Sequence, residues 1–247
     1  MTTKEKMNSI NKTAISAETS PLVYARVAGF LYLIMFPLGM FPAFFGPDSV
    51  IVPGDAATTA NNIMASESLF RLSFVSDLIS QVIFIFVVLV LYKLLKPVNK
   101  NLASLMAILA LVGIPIAMLN LLNELAPLLL LSGADYLTAF EAGKLHALVM
   151  LFLDLYEIGF YIAMIFWGLW LLPLGYLVFK SGYLPRILGV LLIIGGFGYL
   201  IDVVIFFLFP NFDASIKAFT FIGELLLPLW LLIKGVKTQQ PATMGAS

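Results

Sequence analysis

The sequence predicts an all-α protein, a polytopic integral membrane bundle of six transmembrane helices with both termini in the cytoplasm. Three observations carry that prediction. The composition is 61% apolar and only 11% charged, with a mean hydropathy of +1.03, whereas soluble domains carry about 25% charged residues. Several apolar runs exceed the ~20 residues needed to cross a ~30 Å hydrocarbon core. Basic residues also segregate. With the N-terminus inside, eleven Lys and Arg fall on the inner side and only Arg71, Lys144 and Lys217 on the outer, the asymmetry that orients membrane helices.

The chain opens with a polar tail, residues 1–22, without the apolar core of a cleavable signal peptide. The first span is therefore expected to act as an uncleaved anchor. A single transmembrane domain follows over 23–236, then a flexible tail over 237–247. Apolar periodicity places the spans at about 25–45, 73–95, 102–131, 145–178, 185–209 and 215–234. The third and fourth are longer than a membrane requires, so they tilt or project. Gly182 and Pro185 mark a stop and restart between spans four and five, glycine suiting a helix end and proline a first turn. In the outer loop, residues 46–72, Asp55 follows Pro53-Gly54 and has the position of a helix N-cap. The mildly amphipathic segment after it fits a helix on the membrane surface or across the end of the bundle.

Composition also excludes function classes. Formal net charge is zero and there is no basic tract, so nucleic acid is not an expected partner. The absence of cysteine removes disulfides, thiolate metal sites and a cysteine nucleophile. A single histidine, His146, argues against a site built from two or three imidazoles. No cofactor, catalytic residue or metal ligand is expected. The expected partners are the lipid bilayer of a bacterial cytoplasmic membrane and a cation, proton or small solute.

Four words carry a family resemblance: Ile51-Val52-Pro53-Gly54-Asp55-Ala56-Ala57, Ala65-Ser66-Glu67-Ser68-Leu69-Phe70-Arg71-Leu72, Ser76-Asp77-Leu78, and Gly182-Tyr183-Leu184-Pro185-Arg186-Ile187-Leu188-Gly189. In these the chain resembles a bacterial membrane-protein family known as domain of unknown function four-three-eight-six, over about residues 25–235. The resemblance implies a multi-helix integral membrane protein and supplies no activity.

The unusual chemistry is acidic. Asp77, Glu124, Asp154, Glu157, Asp202 and Glu224 lie inside predicted spans, where a charged carboxylate costs roughly 3 kcal/mol or more. At ~1.5 Å per residue, Asp77 lies ~9 Å, Asp154 ~13 Å, Glu157 ~18 Å and Glu224 ~13 Å below the outer helix ends. Asp202 stands ~25 Å and Glu124 ~35 Å above the inner ends. Polar groups of five helices thus converge in the outer half, with Glu157 the deepest acid by helix counting.

Helical periodicity puts His146, Met150, Asp154, Glu157 and Tyr161 on one face, Asn120, Asn123 and Glu124 on a second, and Ser73, Asp77 and Gln81 on a third. Gly195, Gly198 and Asp202 align on a fourth, where a neighbouring backbone can come close. Pro127 and Pro228 free the carbonyls of Asn123 and Glu224 at the same level. The candidate polar site is therefore Glu157, Asp154, Asp202, Glu224, Asn120, Asn123, Asp77 and Gln81. The competing structural role pairs the acids with Arg71, Lys144 or Lys217 to hold the bundle. The three tryptophans read as packing and interface aromatics.

Three functions fit. A small cation- or proton-coupled carrier would use the carboxylates as proton acceptors or oxygen ligands. A non-catalytic sensor, scaffold or lipid-binding protein needs only the stable bundle. An intramembrane hydrolase fits least, because no Gly-x-Gly-Asp word, Gly-x-Ser-x-Gly elbow or His-Glu-x-x-His pair is present. Orientation is directly testable. Single cysteines at Thr59 and Ala139 label with impermeant reagents in intact cells while one at Asn99 does not; the reverse pattern inverts the topology.

Overall fold

The computed structural model describes residues 20–209, 212, 215–216 and 220–236, and their regular structure is entirely helical. The tails before residue 20 and after residue 236 lie outside the described residues. The first helix, α1 (Pro21–Phe45), starts two residues earlier than the domain limit read from the sequence. Proline at its first position and the Ser20 hydroxyl accepting from Leu22 N–H define that start. There follow α2 (Pro47–Val50), α3 (Ala56–Ala65), α4 (Glu67–Leu95), α5 (Lys100–Leu130), α6 (Ala142–Lys180), α7 (Arg186–Leu208) and α8 (Ile222–Ile233). The α1–α2 segment, α4, α5, α6 and α7 are each long and apolar enough to cross a membrane. The last helix is apolar but has 12 residues, which spans only ~18 Å. The sequence expects that span from residue 215, and residues 217–219, including Lys217, lie outside the described residues.

The long helices form a closed ring in which α1 packs on α4, then α5, α6, α7, α8 and back on α1. Lipid tails are as apolar as leucine, so burying apolar surface does not drive such helices together; close packing does. Small residues provide it. Between α6 and α7, a Cβ at Gly175 would stand 2.6 Å from the Gly189 carbonyl, and one at Gly168 2.9 Å from that of Gly196. The pairs sit seven residues apart on each helix and run in opposite directions, the periodicity of a shallow antiparallel crossing. The same spacing recurs between α1 and α4, where Gly39 faces Ser80 and Gly46 faces Ser73. Between them Ser76 donates to the Leu38 carbonyl at 2.8 Å. Pro42 cannot donate to that carbonyl, so the hydroxyl of a neighbouring helix satisfies it.

One end of the ring is basic. Tyr183 in the α6–α7 turn donates to the Leu94 carbonyl at 2.8 Å, and Lys93 lies over the Tyr24 ring. Burial pushes the Tyr183 phenol up to about 12. Arg26, Lys93, Lys96, Lys100, Lys180, Arg186 and Lys234 gather toward this end. Its core holds buried side chains such as Leu91, Leu95, Met106, Leu174, Leu177 and Leu188, and a recess of about 400 Å³ lies between the α6–α7 turn and the end of α8. The opposite end carries Arg71 and Lys144, each paired with a surface glutamate on its own helix or at its start.

At that acidic end the 46–66 segment folds back over the bundle. Asp55 caps α3 by accepting from Thr58 N–H at 2.9 Å and from its hydroxyl, bonds that hold the Asp55 carboxyl below the usual carboxylate range. Ile63 of α3 then buries against Val50, Phe70, Leu128, Val149 and Leu153, a second apolar core. The helix therefore caps the outer end of α5 and α6.

The α6–α7 crossing gives a paired test. Gly175→Ala forces a methyl group into the Gly189 backbone and lowers thermal stability in detergent by about 1–3 kcal/mol. Gly143→Ala, where an added Cβ meets nothing within 4 Å, leaves stability unchanged or slightly raised.

Candidate functional site

Above the basic half, the ring encloses two adjoining chambers. The inner one, about 250 Å³, is walled by Tyr32 and Phe36 of α1, Phe84 of α4, and Phe160, Trp167 and Trp170 of α6. Tyr199 of α7 and Glu224 of α8 complete it, with Asp77, Ser80 and Gln81 on the α4 side. The outer one, about 520 Å³, is lined by Asp48 of α2, Pro53, Asp77, and Asp154, Glu157 and Tyr161 of α6. Gly39, Asp77 and Phe160 line both, so the two chambers adjoin there. The aromatic floor sits where counting predicts mid-depth: Tyr32, Phe84, Trp170 and Tyr199 each stand ~15–20 Å from the basic ends of their helices. Trp170 packs edge-on to Phe84 at 5.1 Å and tilted to Tyr32 at 6.4 Å.

Glu224 is the enclosed acid of the inner chamber. It is 8% exposed, and its Oε2 accepts from the Tyr32 hydroxyl at 3.2 Å. Its Oε1 has no hydrogen-bond partner among the described residues. Gln81, 7% exposed, donates through Nε2 to Asp77 Oδ1 at 3.1 Å. That bond fixes the amide orientation and turns Gln81 Oε1, also without a partner, toward acceptor duty. Both ion pairs seen among the described residues belong to the outer surface. Arg71 and Lys144 are thus committed elsewhere, and no described cation pairs with Asp77, Glu124 or Glu224.

The remaining candidates divide by role. Asp154 and Glu157 are exposed residues of the outer chamber wall. Helix counting makes Glu157 the deepest acid, but the structure puts Glu224 in that place. Glu157 lies ~35 Å along α6 from Lys180, while Glu224 is only ~14 Å along α8 from Ile233. Asn120 donates to the Tyr156 carbonyl at 2.8 Å and accepts from Asn123 at 3.0 Å. Its amide fills the space that a side chain at Gly159 would occupy, so this pair joins α5 to α6. Asp202, 4% exposed, accepts from Ser215 Oγ at 2.8 Å and Ile216 N–H at 2.7 Å. It pins the segment leading to α8 and lines neither chamber. Glu124 is fully buried, accepting from Ser73 at 3.1 Å. His146 lines a separate recess between the ends of α5 and α6.

Sequence reasoning missed the aromatic wall. Trp167 and Trp170 line the inner chamber at mid-depth rather than marking an interface, and Tyr32 and Tyr199 both bring a hydroxyl to Glu224. Trp167 and Trp170 at i, i+3 was a usable signal, since interface tryptophans do not recur toward the middle of a span. Among the described residues no group of His, Asp or Glu gathers to hold a metal ion. The chemistry on offer is acceptor oxygen and aromatic face. Tyr32→Phe tests the Glu224 environment: the carboxyl loses its Oε2 donor and keeps only Tyr199 beside it, and detergent unfolding shows a loss of about 1–3 kcal/mol.

No solved structure matches this chain. A protein of Archaeoglobus fulgidus described as "Uncharacterized protein" is 35% identical over 154 residues, covering 62% of this chain and 78% of its own length. The match to a family is broader. Residues 27–235 fit the family described as Domain of unknown function (DUF4386), and the chain belongs to it.

Proposed function

We propose that this protein is a small cation- or proton-coupled carrier of the cytoplasmic membrane, with six spans, both termini cytoplasmic and its acid-lined cavity facing outward. One observation carries the reading: two adjoining chambers lined by Asp48, Asp77, Asp154, Glu157 and Glu224 occupy the half of the bundle toward its acidic end, with buried Glu224 at their floor. Basic residues favour the cytoplasmic side, which turns the acidic end outward. The short last helix reaches only part of the way across, and Asp202 holds Ser215 and Ile216 ahead of it.

Within this reading the outer chamber attracts cations through Asp48, Asp154 and Glu157, since several carboxylates around one cleft concentrate counter-ions. Asp77 stands where the chambers adjoin and Glu224 at the floor of the inner one. An enclosed carboxylate without a cationic side chain is stabilised by a proton or a bound cation, which is the exchange a coupled carrier performs. A sensor or scaffold needs no such chambers.

Vesicles containing the purified chain and a lumenal pH dye test the proposal. An imposed proton gradient dissipates when Na⁺, K⁺ or a small organic cation is added outside, and Asp77→Asn or Glu224→Gln lowers the rate at least tenfold. Rates equal to protein-free vesicles for every cation overturn the carrier reading.

A further inference from the structure

We propose that the inner chamber binds a small organic cation carrying N–H donors, an ammonium or guanidinium group, rather than a bare metal ion. The inference rests on the carrier reading only for the direction of access; the binding site stands on its own geometry.

Two residues that line the chamber, Glu224 and Gln81, each carry a buried oxygen, Oε1, with no hydrogen-bond partner among the described residues. With Glu224 ionised both are acceptors: its other oxygen accepts from the Tyr32 hydroxyl, and Gln81 spends its amide nitrogen on Asp77. A buried polar atom left unpaired costs about 1–3 kcal/mol, so the chamber is complementary to a ligand that brings donors. The ligand's charge is set by Glu224 and Asp77, with no described cation beside either. Its shape is set by the walls. Tyr32, Phe84, Trp167 and Trp170 present aromatic surface, and ring faces attract ammonium and guanidinium groups.

A hard metal ion fits these walls poorly. Ca²⁺ takes six to eight oxygens at about 2.3–2.6 Å, whereas this chamber is mostly ring and aliphatic surface. Water supplies donors but matches neither the charge nor the aromatic faces. At about 250 Å³ the space suits a ligand smaller than those of drug-sized pockets, which begin near 300 Å³.

The test uses the full chain in detergent with Trp230→Phe, which leaves Trp167 and Trp170 as fluorescent reporters of the chamber. Methylguanidinium is the probe. N-Methylurea keeps the donors without the charge, tetramethylammonium keeps the charge without the donors, and Na⁺ has neither donors nor an organic body. Methylguanidinium changes the fluorescence saturably, and the other three bind at least tenfold more weakly. Glu224→Gln, which can still accept from Tyr32, weakens methylguanidinium at least tenfold; Gln81→Met, which removes the acceptor together with the donor to Asp77, weakens it at least threefold. Equal binding of N-methylurea, tighter binding of Na⁺, or no saturable response in the folded parent overturns the proposal. Binding without transport in vesicles upholds this site and defeats the carrier reading. Cation-driven transport without methylguanidinium binding does the opposite.

Discussion

The last helix is held to the first at two points, and the polar cavity depends on that attachment. Gly29 lets α1 come within backbone distance of α8, where an added Cβ would stand 2.6 Å from Leu232 N and 2.7 Å from the Pro228 carbonyl. One turn toward the acidic end, Tyr32 donates to Glu224. A 12-residue apolar helix has marginal stability alone, so its place comes from these contacts and from Gly223, which abuts the backbone of α7 at Leu191 and Leu192. Without α8 the ring is open between α1 and α7, and the inner chamber loses a wall and its enclosed acid.

Two chemical economies recur through the bundle. Where helices must touch, glycine or serine faces backbone, at seven-residue spacing in both the α1–α4 and α6–α7 pairs. Where proline or a helix end frees a polar group, a side chain from another element meets it. Ser76 answers the Leu38 carbonyl exposed by Pro42, and Tyr183 answers that of Leu94 at the end of α4. Hydrocarbon offers no such partners, so each polar group turned inward needs protein or solvent. Against this rule Gln81, Glu124 and Glu224 each keep an unpaired oxygen, and those of Gln81 and Glu224 belong to residues that line the inner chamber.

The acidic end has its own logic. The cap formed by α3 covers the ends of α5 and α6 through Thr59, Ala60 and Ile63. It lets Glu124 be fully buried although that residue is ~36 Å along α5 from Lys100. Height along a helix and burial are separate quantities. The outer chamber stays accessible because the cap lies over α5 and α6, while Asp48, Asp154 and Glu157 line the space between α1, α2 and α6.

Much of this was legible in the sequence. Long apolar runs determined the helices, because only a helix satisfies its own backbone in lipid. Basic residues determined which ends belong together, Asp55 the start of α3, and Gly182 with Pro185 the turn before α7. Periodicity also assigned Asp77 and Gln81 to one face, where they do meet. Other features came only from tertiary structure. Counting down from the far end of a 39-residue helix made Glu157 the deepest acid, whereas counting from the basic ends puts Glu224 in that place. It also could not foresee that Asp202 would tie down a connecting segment. Burial of Glu124 required the cap, and the aromatic chamber required α1, α4, α6, α7 and α8 to bring Tyr32, Phe84, Trp170, Tyr199 and Glu224 to one level. Those side chains come from segments far apart in the chain. Local pattern determines each helix and its faces, but which faces meet is decided by the close packing of the whole ring.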